Sequence, residues 1–111
     1  MDAAPLAREI TELHAEICSA IADPRRILLL YAIEEKSRNV SDLAEYIGIS
    51  QPAASRHLKV LRERGLINAV RHRTSIEYHL TDLRLIEALN LLRAVLRDRL
   101  AHRASLAENE R

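Results

Sequence analysis

The chain has 111 residues and a net charge of +1, with 48% apolar and 30% charged residues, values that fit one packed globular domain over 1–111. Its single cysteine, Cys18, excludes an intramolecular disulfide and a zinc site built on paired cysteines. No charged-then-apolar leader opens the chain, and no apolar run approaches the roughly 18 residues of a membrane span, so we expect a cytoplasmic protein without a membrane partner.

Two helices are predicted in the first third of the chain. The first covers residues 5–22, where an apolar side chain recurs every three or four positions, the spacing of one helical stripe. Asp23 followed by Pro24 is typical of a helix start, because aspartate caps free backbone N–H groups and proline removes an N–H that has no helical partner. The second helix is therefore expected from there to about Glu35.

A helix-turn-helix is predicted over residues 41–64. Its first helix begins near Ser41 and ends at Gly48, a residue type that readily adopts the left-handed conformation at a helix end. Only two residues later Ser50 can cap the next helix, which ends at Gly65. A turn this short keeps the two helices from lying antiparallel, and the second helix of such a motif is the one that enters the DNA major groove.

A β-hairpin and a long helix complete the predicted order, α-α-α-α-β-β-α. The hairpin covers residues 66–80 and is placed to act as a wing; its tip has no glycine, so we expect a loop of three or more residues. The last helix covers 82–104 and is apolar over too wide an arc for one buried face, so it needs a partner besides its own core. The expected fold is mainly α with a small β-hairpin, a winged helix-turn-helix.

Positive charge is concentrated between Ser50 and His79. Six Lys and Arg residues lie there with two Glu, a net +4 that leaves −3 for the rest of the chain. A basic segment on a mildly acidic body suits a protein that presents one face to phosphates, and Gln and Arg side chains can pair bidentately with adenine and guanine. The candidate contacts to double-stranded DNA are Ser50, Gln51, Ser55, Arg56, His57, Lys59, Arg62, Arg71 and Arg73.

Three stretches resemble the ArsR/SmtB family of bacterial winged-helix regulators: AIADPRRILLL at 20–30, VSDLAEYIGISQPAASRHLKVLRERGLI at 40–67 and IEYHL at 76–80. The resemblance implies a homodimer formed through the first and last helices, here 5–22 and 82–104. It also implies a repressor that binds an imperfect inverted-repeat operator and is released by an effector, which the sequence does not identify. Arg26, in the family's DPxR run, is expected to tie the second helix to its neighbours rather than to contact DNA.

Metal-sensing members of that family hold their ligands in a cysteine pair at the start of the third helix or in an Asp, His and Glu set on the last helix. Here residues 39–43 contain no cysteine and the last helix carries arginines, so we expect no metal site at these positions and no cofactor. Cys18, one turn after His14, is interpreted either as a packing residue or as the point of a redox or metal response, and both alternatives stay open.

Enzyme activity is not expected from this sequence, because no glycine-rich phosphate loop and no Ser/His/Asp constellation outside the basic helix are found. The competing hypothesis is a winged-helix module that keeps the fold but binds protein. The basic, polar outer face of the fourth helix argues against it, because protein-binding faces favour aromatic residues and Met and are depleted in Lys.

Overall fold

The structure is a computed structural model that describes residues 2–109; Met1, Glu110 and Arg111, the ends of the predicted 1–111 domain, lie outside the described residues. Residues 2–109 form five helices and one antiparallel two-stranded sheet in the predicted order. No helix in this range is long and apolar enough to cross a membrane. The bounds are Ala4–Leu13, His14–Cys18 and Ser19–Ile21 for the three segments of α1, Pro24–Glu35 for α2, Val40–Ile47 for α3, Gln51–Glu63 for α4, Ile67–His72 for β1, Ser75–Leu80 for β2 and Arg84–Asn109 for α5.

Helix α1 is continuous but not regular. Its middle segment, His14–Cys18, is a π-helical turn in which the Ser19 N–H donates to the carbonyl of His14, five residues back. The helix matches the predicted 5–22 to within one residue at each end. The π-helical turn leaves no mark in the apolar spacing, so the sequence did not indicate it.

The helix starts follow the predicted capping, with one shift. Asp23 accepts a hydrogen bond from a backbone N–H at 2.8 Å at the start of α2, and the Ser50 hydroxyl accepts one at 3.3 Å at the start of α4. Between α3 and α4, Gly48 has φ +76°, the left-handed conformation that ends a helix. Helix α3 begins at Val40, one residue before the predicted start near Ser41, and the Asn39 side chain caps it by accepting a hydrogen bond from a backbone N–H of the first turn at 2.9 Å.

The hairpin tip is tighter than predicted. The strands pair in register up to His72↔Ser75, which leaves a two-residue loop of Arg73 and Thr74 instead of three or more residues. Arg73 takes φ +60°, the sign that the first central residue of a type II′ hairpin turn requires. The prediction was wrong because it reserved this conformation for glycine.

The hydrophobic core lies where α2, α3 and α4 meet β1 and the first turns of α5. The residues of this cluster are Ala20, Leu29, Leu30, Ala32, Ile33, Leu43, Leu58, Leu61, Leu66, Ile67, Ile86 and Leu89. Only Ile86 and Leu89 come from α5, which runs to Asn109 rather than ending at the predicted residue 104. A helix of 26 residues is about 39 Å long, so most of α5 extends beyond the core that the rest of the chain provides.

Candidate nucleic-acid interface

Helix α4 has an apolar inner side and a polar outer side. Ala54, Leu58 and Leu61 are buried in the core. The residues predicted for the outer side are exposed at its start and along its length, namely Ser50, Gln51, Ser55, Arg56, Lys59 and Arg62. Because the first turn of a helix carries unpaired N–H groups and a partial positive charge, this end of α4 suits a phosphate or a base acceptor.

Two exposed side chains of α4 have polar partners within the protein. The Gln51 Oε1 accepts a hydrogen bond from the Ser41 hydroxyl of α3 at 3.0 Å. That bond leaves the amide N–H₂ of Gln51 free to point outward as a donor. The Lys59 Nζ lies 3.9 Å from Glu63 Oε1, a long surface pair that holds the ammonium only weakly. Sequence reasoning did not identify Ser41 as a positioning partner of Gln51.

His57 lies on a different side of α4 from the one predicted. Its ring is half-buried, and its Nδ1 is 3.4 Å from the Arg26 Nη1 of α2. Burial lowers the pKa of His57, the neighbouring cations Arg25, Arg26 and Arg56 lower it further, and only Asp23 opposes them. The ring therefore lies against α2, away from the exposed residues of α4, in surroundings that disfavour its protonated form.

Arg26 joins α2 to the end of α1, in line with its expected structural role. Its Nε donates to the Ala20 carbonyl and its Nη2 to the Ser19 carbonyl at 3.3 Å. These carbonyls belong to the last turn of α1, where helical partners run out. The guanidinium is thereby committed inside the protein.

The hairpin presents basic side chains at its tip and is fastened at its base. Arg71, His72 and Arg73 are exposed around the two-residue loop. At the other end, the Tyr78 N–H of β2 donates to the Arg38 carbonyl at 3.0 Å, in the loop between α2 and α3. A second hydrogen bond joins the same loop to β2, from the Ser37 hydroxyl to Glu77 Oε2 at 3.3 Å, so the base of the hairpin is held against the core.

Arg38 was not recognised from the sequence. Its Nε donates to the Ala32 carbonyl at 3.2 Å, and its Nη2 pairs with Glu35 Oε1 at 3.0 Å. An arginine just past the end of a helix commonly binds the last carbonyls of that helix in this way. The position of Arg38 in the sequence, shortly after the predicted end of α2, could therefore have indicated this role. The Arg38 side chain binds the end of α2, and this contact holds in place the Arg38 backbone carbonyl that accepts the hydrogen bond from Tyr78 of the wing.

Helix α4 and the wing meet along a crevice of about 200 Å³, lined by Ser55, Leu58, Lys59, Arg62 and Tyr78. Lys59 and Arg62 thus lie between the exposed face of α4 and β2. The structure therefore brings the predicted residues of α4 next to the hairpin that carries Arg71 and Arg73. Cations on the helix and on the hairpin therefore lie on neighbouring elements, and positive side chains of this kind can contact a duplex backbone.

Cys18 is a free, half-buried thiol at the end of the π-helical turn. Within residues 2–109, no three His, Cys, Asp or Glu side chains are grouped so as to hold a metal ion. Asp82 is engaged by Arg84 at 2.7 Å, and this hydrogen-bonded pair lowers the pKa of Asp82 to about 2. The packing and redox interpretations of Cys18 both stay predictions.

Comparison with known proteins gives a consistent result. Residues 23–69 match the model of the bacterial regulatory protein family named arsR. The chain is 34% identical over 79 residues to the HTH-type transcriptional repressor SmtB of Mycobacterium tuberculosis, covering 71% of this chain and 58% of SmtB. It is 37% identical over 87 residues to the transcriptional regulator NmtR of the same organism, covering 78% of this chain and 72% of NmtR.

A solved structure shares the fold. It is a homodimeric winged helix-turn-helix DNA-binding domain from Mycobacterium bovis, described as a possible ArsR-family transcriptional regulator. It is similar to this chain with a TM-score of 0.76 and 25% sequence identity, over 86% of this chain and 89% of that domain. The helices and the hairpin of this chain thus have the arrangement found in that domain.

Proposed function

Because this chain belongs to the arsR family of bacterial regulatory proteins, a family of transcriptional regulators rather than enzymes, we propose that it is a repressor that binds an operator in duplex DNA as a homodimer. The operator is an imperfect inverted repeat, with one half-site for each subunit, because a two-fold symmetric protein reads a two-fold symmetric sequence. The protein acts where bacterial DNA is, in the cytoplasm, and an effector of unknown chemistry releases it.

The observation that carries this proposal is the exposed polar and basic side of α4, a helix whose start is capped by Ser50. Gln51, Ser55 and Arg56 are assigned to base edges, since Gln and Arg make bidentate contacts to adenine and guanine. Lys59 and Arg62, together with the wing, are assigned to phosphates, which fix the register of the protein on the duplex without reading sequence. His57 is left out of this set, because its ring lies against Arg26.

Dimer formation is supported by the shape of the subunit. Its radius of gyration is 17.6 Å, whereas a compact domain of this length has about 13 Å. Large apolar side chains of α1 and α5 lie exposed, including Leu6 at 60%, Leu92 at 61% and Leu96 at 52%. A surface of this kind is a liability on a monomer and is typical of an interface. The homodimeric domain from Mycobacterium bovis supports the same assembly.

The test begins with selection of duplexes from a random pool by the wild-type protein. Arg56→Ala is then compared with Arg8→Ala, which removes the same charge from an exposed position on α1. We expect Arg56→Ala to weaken binding to the selected duplex by about 1–3 kcal/mol and binding to random DNA by less. Arg8→Ala should leave both affinities unchanged.

Two results contradict the proposal. Enrichment of no duplex by the wild type would favour the alternative, a winged-helix module that binds protein. Equal operator affinity of Arg56→Ala and wild type would show that α4 is not the helix that reads the bases.

A further inference from the structure

The C-terminal end of α4 is fastened to the π-helical turn of α1 by one side chain. Arg64, the residue that ends α4, donates from Nη1 to the Ala15 carbonyl and, at 2.6 Å, to the Ser19 hydroxyl. Ser19 donates in turn to the same Ala15 carbonyl at 2.6 Å. One guanidinium nitrogen of Arg64, the Ser19 hydroxyl and the Ala15 carbonyl are thus all hydrogen-bonded to one another, although Arg64 lies 45 residues after Ser19 in the chain.

A second contact reinforces the first from the same side of α4. His57 and Arg64 are seven residues apart, so they lie two helical turns from each other, about 10 Å along the axis. His57 meets Arg26, which binds the carbonyls of Ser19 and Ala20 at the end of α1. Helix α4 is therefore attached to the end of α1 at two points, while its other side carries the exposed residues.

This attachment links the two surfaces that the proposed function needs. Helix α1 carries the apolar stripe assigned to the dimer, and α4 carries the residues assigned to the bases. The distance between the two α4 helices of a dimer sets the half-site spacing that the dimer accepts, because each helix must enter a major groove on the same face of the duplex. A side chain that fixes α4 on α1 therefore acts on spacing.

We propose that Arg64 is a positioning residue for operator recognition: by binding Ala15 and Ser19 in the π-helical turn of α1, it fixes α4 relative to the dimer interface and so selects the half-site spacing. This inference rests on the proposed function. The charge of Arg64 is used inside the protein, where the side chain is half-buried. It therefore adds no phosphate contact, and the salt dependence of binding does not depend on it.

Three variants separate this role from general stability. Arg64→Met keeps the apolar stem and removes every donor. Arg64→Lys keeps one cationic nitrogen with three donors, which suffices because one nitrogen of Arg64 makes both bonds. Ser19→Ala removes one of the two acceptors and leaves Arg64 in place. Arg8→Met is the control: it makes the same Arg-to-Met change at an exposed position of α1.

The first readout is spacing preference. The probe is the duplex selected by the wild-type protein, alongside versions with one or two base pairs inserted or removed between the half-sites. We expect Arg64→Met to reduce the preference for the selected spacing by about tenfold, within the usual range of coupling between two sites, at an unchanged salt dependence. Arg64→Lys and Arg8→Met should keep the wild-type preference, and Ser19→Ala should lose part of it.

The second readout needs no DNA. A spin label at Lys59→Cys, in a Cys18→Ala background, reports the distance between the two α4 helices of the dimer. Wild type and Arg64→Lys should give one narrow distance distribution, and Arg64→Met a broader or shifted one. If the wild type selects no duplex, the proposed function fails and this measurement still decides the role of Arg64. If Arg64→Met loses only thermal stability, with the wild-type spacing preference and distance distribution, Arg64 is merely structural and the inference is overturned.

Discussion

The segment from Pro24 to Leu80 and the two helices that flank it, α1 and α5, differ in how much of their apolar surface is buried within the subunit. Within residues 2–109, eleven of the fourteen buried apolar residues lie in this central segment, against Ala20 in α1 and Ile86 and Leu89 in α5. The exposed large apolar side chains are distributed the other way, with ten of fourteen in α1, in α5 or just before α5. The central segment buries its own apolar surface, and the flanking helices leave theirs uncovered.

The difference shows how one short chain divides two tasks. A domain of this size buries a limited share of its surface, so a second copy is an economical way to cover the rest. The central segment holds the surface assigned to DNA on a frame of its own contacts. The flanking helices need a second subunit to cover their apolar surface. The position of the DNA-binding surface of one subunit relative to that of the other therefore depends on how these helices pack in the dimer.

The largest effect is expected from a charge in the exposed stripe of α5. Leu96→Glu places a carboxylate where the proposed partner packs, so the dimer should dissociate. A single half-site then acts without the avidity of two, and operator affinity should fall by about 100-fold or more. Sedimentation at micromolar concentration and operator titration measure the two effects.

The matched control for that change is Ala101→Glu. Ala101 is exposed on the same helix, on the side away from Leu96, and accepts glutamate without loss of helix propensity worth noting. It should remain a dimer with wild-type operator affinity. A Leu96→Glu protein that sediments as a dimer would break the comparison, because α5 would then not need a partner at this point.

A second prediction concerns the central segment alone. Leu29→Ala removes a side chain that is 0% exposed, so it should lower the free energy of unfolding by about 2–5 kcal/mol. Leu83→Ala, at a side chain that is 64% exposed, should change it by much less. Both are measured by urea unfolding in the monomeric Leu96→Glu background. If the Leu96→Glu protein is already unfolded before either substitution is added, the central segment also depends on the dimer, and the proposed difference between the central segment and the flanking helices is wrong.

Sequence reasoning worked best where a local rule decides the structure. The caps at Asp23 and Ser50 and the helix end at Gly48 each follow from the chemistry of one residue and its neighbours. The exposed positions of α4 follow from helical periodicity, since the core takes Ala54, Leu58 and Leu61. The order of elements and most of the candidate interface were therefore predictable.

It did not indicate features that depend on distant partners or on an unusual backbone. The helix period alone does not reveal that Arg26, 31 residues before His57, lies against the ring that the sequence assigned to DNA. The bonds of Arg64 to α1 span a still longer separation. The π-helical turn of α1 and the positive φ of Arg73 are backbone properties that no side-chain pattern indicated.

A third and smaller effect is expected at the tip of the wing. Arg73→Gly relieves the left-handed conformation of a residue with a Cβ, which should stabilise the protein by up to about 1 kcal/mol. The same change removes a cation assigned to phosphate, so binding to all duplexes should weaken and its salt dependence should flatten. Arg73→Asn, which also tolerates this conformation, is the companion variant. Stability and affinity that move in the same direction would contradict one of the two assignments.

The smallest effect is a dependence of stability on pH through His57. Because its pKa is lowered in the folded protein, mainly by burial and then by Arg25, Arg26 and Arg56 against the opposing Asp23, the unfolded chain binds the proton more readily. The free energy of unfolding should therefore be highest above the ordinary histidine pKa of about 6.5 and decrease as the pH falls below it.

His57→Gln tests this dependence, because glutamine keeps a polar contact to Arg26 but does not titrate. Urea unfolding at pH 7.5 and at pH 5.5 should show a smaller loss of stability on acidification for His57→Gln than for wild type. The window avoids Asp82, whose pKa of about 2 places its own contribution at much lower pH, where stability is lost as its carboxylate is protonated. Equal losses in the two proteins would show that the pKa of His57 is not lowered in the folded protein, and that its contact with Arg26, one of the two attachments of α4 to the end of α1, is weak.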